Sequence, residues 1–73
     1  MTETATRLCD ITLNGAAVAT GAATLAALLA EQGFAGIKVA TALNGEFVPE
    51  RLRPATALAA GDRVEILTVR QGG

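Results

Sequence analysis

Several residue types on which enzymes and metal sites depend are missing from this 73-residue sequence. It contains no histidine, serine, tyrosine or tryptophan, and its one cysteine is Cys9. Without histidine and serine, a Ser-His-Asp triad is excluded. The chain also lacks histidine as the side chain best suited to proton transfer near neutral pH. One cysteine without histidine forms neither an intramolecular disulfide nor a Cys/His zinc site. We therefore expect no bound cofactor, no metal and no catalysis by the chain itself.

Charge is also sparse, and neither sign dominates. Six basic and seven acidic residues give a net charge of −1. A surface that binds nucleic acid needs a basic stripe and aromatic rings for stacking, but the only aromatics are Phe34 and Phe47. The uncharged stretch 11–30 is broken by Asn14-Gly15 and Gly21, so it is a poor candidate for a membrane-spanning helix. We expect no nucleic-acid or membrane partner.

The N-terminus lacks the basic start and apolar run of a signal peptide. An unpaired cysteine fits a reducing compartment. Together these features predict a cytoplasmic protein.

Alternating apolar residues predict two hairpins, each turned by an Asn-Gly pair, and one further strand. Asn14-Gly15 and Asn44-Gly45 are strong two-residue turn signals, because both residues of the pair tolerate positive φ. In the first strand, Cys9, Ile11 and Leu13 share the face that we expect to point inward. Cys9 on that face is expected to pack as a small apolar residue rather than to carry sulfur. The predicted strands are 8–13, 16–20, 38–43, 46–48 and 63–68.

A single short helix is predicted between the two hairpins. Thr24 is a suitable N-cap, Leu25, Leu28 and Leu29 form one apolar stripe, and Gly33 is a natural stop. Residues 50–60 have no clear period and are predicted to be a connection with about one helical turn. The order is ββαβββ, which predicts an α+β domain with a mixed four- to five-stranded sheet packed on one helix. We expect one domain over 1–73, with 1–6 as a frayed leader and 69–73 as a flexible tail.

The C-terminal residues carry the strongest functional signal. Gly72-Gly73 follow soon after the last predicted strand, and two residues without Cβ make a narrow tip that fits a tight slot. Its reactive group is the terminal carboxylate, which is ionised at pH 7. Arg70 and Gln71 either guide this tail by polar contacts or keep it soluble. The sequence has no phosphate-binding loop and no general base, so we expect the carboxylate to be activated by another enzyme.

A second candidate site is the face of the sheet that points away from the helix. If the inward residues pack on the helix, several apolar side chains fall on the opposite face, beside the tail. Such a patch is a candidate docking surface for a protein partner, although scattered apolar residues are common on protein surfaces. The candidate residues are Leu8, Ala40, Ala42, Leu67 and Val69.

The order of these motifs resembles a known family. The runs 11–15, 43–49 and 58–66, the helix that starts at Thr24 and the final Gln71-Gly72-Gly73 are similar to the ThiS family, the sulfur carriers of thiamine biosynthesis. The resemblance covers roughly residues 8–73. It implies a ubiquitin-like β-grasp fold in which Gly72 and Gly73 correspond to the diglycine of the family.

The resemblance also implies a sequence of partners. An E1-like adenylyltransferase (ThiF-like) would adenylate the Gly73 carboxylate with ATP. Sulfur supplied through a cysteine desulfurase would then convert it to a thiocarboxylate. Thiazole synthase (ThiG-like) would finally take that sulfur for the thiazole ring of thiamine.

Two alternatives remain open at this point. The small subunit of molybdopterin synthase is a sulfur carrier of the same fold that also ends in diglycine. A non-covalent ubiquitin-like interaction module is the other alternative, and it predicts that deleting Gly72 and Gly73 leaves function unchanged. Either carrier predicts that this deletion abolishes function.

Overall fold

The computed structural model describes residues 8–69. The predicted leader, 1–6, and residues 70–73 of the predicted tail lie outside the described residues, and the single-domain assignment stays a prediction. The elements in chain order are β1 (Cys9–Leu13), β2 (Ala16–Thr20), α1 (Leu25–Glu31), β3 (Val39–Leu43), β4 (Glu46–Val48), a 3₁₀ helix (Glu50–Ala55) and β5 (Arg63–Thr68).

The five strands form one mixed sheet in the order β2-β1-β5-β3-β4. The central strand, β5, runs parallel to β1 and antiparallel to β3. Asn14 and Asn44 both have φ of 52°, and each is followed by a glycine with positive φ, so both hairpins turn as predicted. This arrangement is a ubiquitin-like β-grasp fold, and it confirms the fold class expected from the sequence.

Local sequence signals set both ends of α1. The Thr24 hydroxyl accepts a hydrogen bond from the Ala27 N–H at 3.1 Å, which makes Thr24 the N-cap. At the other end, Gly33 has φ of 87°, and the N–H groups of Gly33 and Phe34 donate to the carbonyls of Ala30 and Leu29. This pair of bonds is a Schellman motif, which needs a left-handed residue at the position of Gly33. The helix therefore ends where predicted.

The core lies between α1 and one face of the sheet. Leu25 and Leu28 are fully buried and belong to the same cluster as Val64 and Ile66 of β5. Cys9 is half-buried and packs against this cluster, in agreement with the packing role expected for it. The whole buried apolar set is Ile11, Leu25, Leu28, Leu29, Val39, Val48, Val64 and Ile66.

Three polar residues, which the apolar pattern does not predict to be in the core, are also buried. The Thr20 hydroxyl donates to the Glu31 carboxylate and accepts the Ala22 N–H, so β2 is tied to the end of α1. The Thr41 hydroxyl donates to the Val48 carbonyl at 2.7 Å. The third is Arg53, which lies on the 3₁₀ helix. Each of these side chains makes hydrogen bonds, as buried polar groups must.

Candidate functional site: the end of β5 and the outer face of the sheet

The strand that leads to the diglycine is held firmly by its neighbours. Thr68 lies opposite Val39 in the antiparallel pair, and the Val69 N–H donates to the Lys38 carbonyl at 3.2 Å. Backbone hydrogen bonds to β3 and to Lys38 therefore fix the path of the chain as far as Val69. The predicted site residues Arg70, Gln71, Gly72 and Gly73 come next and lie outside the described residues.

Asn14, the first residue of a hairpin turn, also anchors β5. Its side-chain amide donates to the Ile66 carbonyl at 3.1 Å, and its side-chain oxygen accepts the Ile66 N–H at 2.8 Å. The regular pairing of β1 with β5 reaches only Leu13 and Val64. The Asn14 side chain thus continues the parallel ladder by imitating a backbone peptide.

Asn44 has the same role at the start of β5. Its side-chain oxygen accepts the Arg63 N–H at 2.8 Å, and its own N–H donates to the Arg63 carbonyl at 2.7 Å. The side-chain amide of Asn44 also donates to Asp62. The sequence pattern predicts only the turn role of both asparagines, because their partners in β5 are distant in the sequence.

Two large apolar side chains stand exposed on the outer face, which is the face of the sheet away from α1. Leu67 is 68% exposed and Phe47 is 69% exposed. Ala40 lies opposite Leu67, and Ala42 lies opposite Phe47. Because the alanines are small, a cavity of about 530 Å³ opens between the two larger side chains. We call Ala40, Ala42, Phe47 and Leu67 the outer patch.

Comparison with known proteins places this architecture in a family. The family model of ThiS matches residues 7–73, which is nearly the whole chain. The chain belongs to the ThiS family. Among solved structures, it is similar to a thiamine biosynthesis protein (ThiS) from Geobacter metallireducens, with 32% sequence identity and a TM-score of 0.73. That match covers 88% of this chain and 99% of the other. The search of curated proteins finds no match.

The ThiS-family fold brings together some of the predicted docking residues and separates others. Ala42 and Leu67 both lie on the outer patch, and Val69, which is 46% exposed, follows Leu67 by two residues. Leu8 is different. In the parallel pair Thr12 lies beside Arg63, so Leu8 is at the opposite end of the sheet from Leu67. The expectation that Leu8 lies beside the tail is wrong, because alternation gives the face of a residue but not its position along the neighbouring strand.

Phe47 belongs to the outer patch but is not among the docking residues predicted from the sequence. A signal for it was present: a two-residue turn at Asn44-Gly45 forces Leu43 to pair with Glu46 and therefore Ala42 to pair with Phe47. Alternation along 38–43 predicts that Ala42 lies on the outer face. Cross-strand partners share a face, so Phe47 belongs there too.

Within residues 8–69, no group of three His, Cys, Asp or Glu residues is placed to hold a metal ion. In the same part of this ThiS-family chain, no helix has the length and apolar character needed to cross a membrane.

Proposed function

We propose that this chain is a sulfur carrier of thiamine biosynthesis, and that the terminal carboxylate of Gly73 is the group that carries the sulfur. The observation that supports this most directly is the anchoring of β5 up to Val69 in a member of the ThiS family. The rigid strand sets the starting point of a tail that ends in two glycines. A side-chain-free tip of this kind suits an active site that belongs to another protein.

The chemistry follows from the carboxylate. A carboxylate is a poor acyl donor until it is joined to a better leaving group. In the proposed sequence, the Gly73 carboxylate attacks the α-phosphate of ATP on an E1-like adenylyltransferase, which forms an acyl adenylate and releases pyrophosphate. A persulfide supplied through a cysteine desulfurase displaces AMP, and a thiol then cleaves the sulfur–sulfur bond to leave the thiocarboxylate. Thiazole synthase consumes that sulfur. ATP is a substrate of the partner, and we place the whole sequence in the cytoplasm.

The outer patch is proposed as the surface that docks these partners. It lies at the end of the sheet from which the tail departs, so a partner bound there also receives the tail. Its exposed side chains, Leu67 and Phe47, are large, apolar and close together, as in the centre of a protein interface. Val69 extends this apolar surface towards the diglycine.

Intact-mass spectrometry tests the proposal. The chain is incubated with ATP, cysteine, a cysteine desulfurase and a matching adenylyltransferase, and we expect the mass gain of one oxygen-to-sulfur exchange, confined to the C-terminal peptide. A variant without Gly72 and Gly73 is the control and should gain no sulfur. Absence of the exchange in the complete chain would contradict the proposal. Supplying the loaded chain to thiazole synthase and, in parallel, to a molybdopterin precursor then distinguishes the two carrier pathways.

A further inference from the structure

The buried arginine lies apart from the outer patch and has no part in the proposed sulfur chemistry. Arg53 is only 9% exposed. Its Nε donates to the Thr41 hydroxyl at 3.0 Å, and its Nη2 donates to the Val39 carbonyl at 2.7 Å. Both acceptors are uncharged. A guanidinium carries a positive charge, and a buried charge is costly when no opposite charge compensates it.

A cavity of about 440 Å³ adjoins this guanidinium. Within residues 8–69, every fully buried side-chain nitrogen has a hydrogen-bond partner. Nη1 of Arg53 has no partner among these residues, so Nη1 is not fully buried. Arg53 lines the cavity, so its free donors are available to an occupant. The volume falls within the roughly 300–1,000 Å³ of small-molecule sites. Apolar side chains form much of the wall: Ala26, Leu29, Ala30, Phe34, Ile37 and Pro54.

Two further charged residues line the same cavity, and both are exposed. Lys38 adds a positive charge and Glu50 adds a negative one. With Arg53, the net charge of the lining is +1. One negative charge on an occupant neutralises it, whereas a dianion such as phosphate would leave a net charge of −1 beside the Glu50 carboxylate.

We propose that this cavity is a binding site for a small organic monocarboxylate with a compact apolar body. The carboxylate lies against Nη1 of Arg53 with Lys38 nearby, and the apolar body contacts the wall formed by α1 and Phe34. A guanidinium is well suited to this ligand, because its planar donors match the two oxygens of a carboxylate.

The carboxylate has two possible sources. One is a free metabolite. The other is the chain itself, because the Val69 N–H bonds to Lys38, which lines the cavity, and the Gly73 carboxylate lies four residues beyond Val69. Four extended residues span at most about 14 Å. In both cases Arg53 would bind a carboxylate.

Titration with benzoate, followed by amide chemical shifts of the complete chain, tests the site. We expect saturable shifts at Gly36, Ile37 and Val39, with a dissociation constant on the order of millimolar for so small a ligand. Benzamide has the same ring without the charge and should bind at least about tenfold more weakly. Absence of saturable shifts, or equal binding of benzamide, would overturn the proposal.

Two exposed residues give variants that leave the buried arginine in place. We expect Lys38→Gln to weaken benzoate binding about threefold and Glu50→Gln to strengthen it about threefold, as single charges near a surface do. Arg51→Gln is the matched control, because Arg51 is exposed on the same 3₁₀ helix but does not line the cavity. Identical affinities in all three variants would also overturn the proposal.

Amidation of the Gly73 carboxylate separates the two sources. If the terminal carboxylate occupies the cavity, the amidated chain binds benzoate more tightly because a competitor has been removed. If a free metabolite is the natural ligand, amidation leaves the affinity unchanged. Arg53→Met should abolish binding in either case, provided that a urea denaturation curve shows the variant to be folded.

Discussion

Leu67 is the residue whose substitution most directly tests the outer patch. We predict that Leu67→Asp weakens binding to the adenylyltransferase while the chain remains folded. Since Leu67 is 68% exposed, the fold obtains little from burying it. Its charged replacement would instead lie in the apolar centre of the proposed interface, close to Glu65, which carries the same sign and also lines the patch cavity.

The magnitude follows from the exposed fraction. Complete burial of a leucine side chain is worth about 1.5–3 kcal/mol, so burial of the exposed two thirds on docking contributes about 1–2 kcal/mol. That energy corresponds to a roughly 5- to 30-fold change in Kd. Loss of the leucine should weaken binding by at least this factor, and desolvation of the new carboxylate adds to the effect.

Isothermal titration calorimetry against the adenylyltransferase measures the change, and a urea denaturation curve checks the fold. Leu8→Asp is a matched control, because Leu8 is 64% exposed but lies at the other end of the sheet. We expect this variant to bind as the unchanged chain does. Equal affinities for Leu67→Asp and the unchanged chain would refute the docking assignment. A loss of affinity confined to Leu8→Asp would show that the docking surface lies at the other end of the sheet.

Four further predictions concern stability and the tail. Asn14→Gly keeps the positive φ but removes both side-chain hydrogen bonds to Ile66, so urea denaturation should show a loss of about 1–3 kcal/mol. Thr24→Ala removes the N-cap and should cost about 1 kcal/mol in the same assay, whereas Leu28→Ala should cost about 2–5 kcal/mol and lower the Tm strongly. Deletion of Gly72 and Gly73 should abolish sulfur loading by mass spectrometry and leave the denaturation midpoint unchanged.

Short-range signals in the sequence predicted most of the fold. The positive φ tolerated by Asn-Gly placed both hairpin turns, and the Thr24 cap with the Gly33 stop placed α1. These features depend on residues within one or two turns of each other. They can therefore be derived without knowledge of how the chain folds back on itself.

The candidate site was only partly predictable, because it depends on pairing between distant strands. Alternation placed Leu67 and Ala42 on the outer face correctly. It could not show where β1 begins along β5, and so it grouped Leu8 with residues at the opposite end of the sheet. The functions of Arg70, Gln71, Gly72 and Gly73 were inferred from residue type and family resemblance, and they stay predictions.

By itself, the sequence determined the elements, their inward faces and the diglycine that points to a carrier, because backbone preference and side-chain alternation are local properties. Tertiary structure decided the rest. Asn14 became a partner of Ile66, which is 52 residues away, once β1 ran parallel to β5. The pairing of β3 with β4 ends at Thr41 and Val48, and beyond it the Val39 carbonyl accepts a hydrogen bond from the buried Arg53 guanidinium. Contacts of this kind arise from the whole arrangement of strands, which no local pattern specifies.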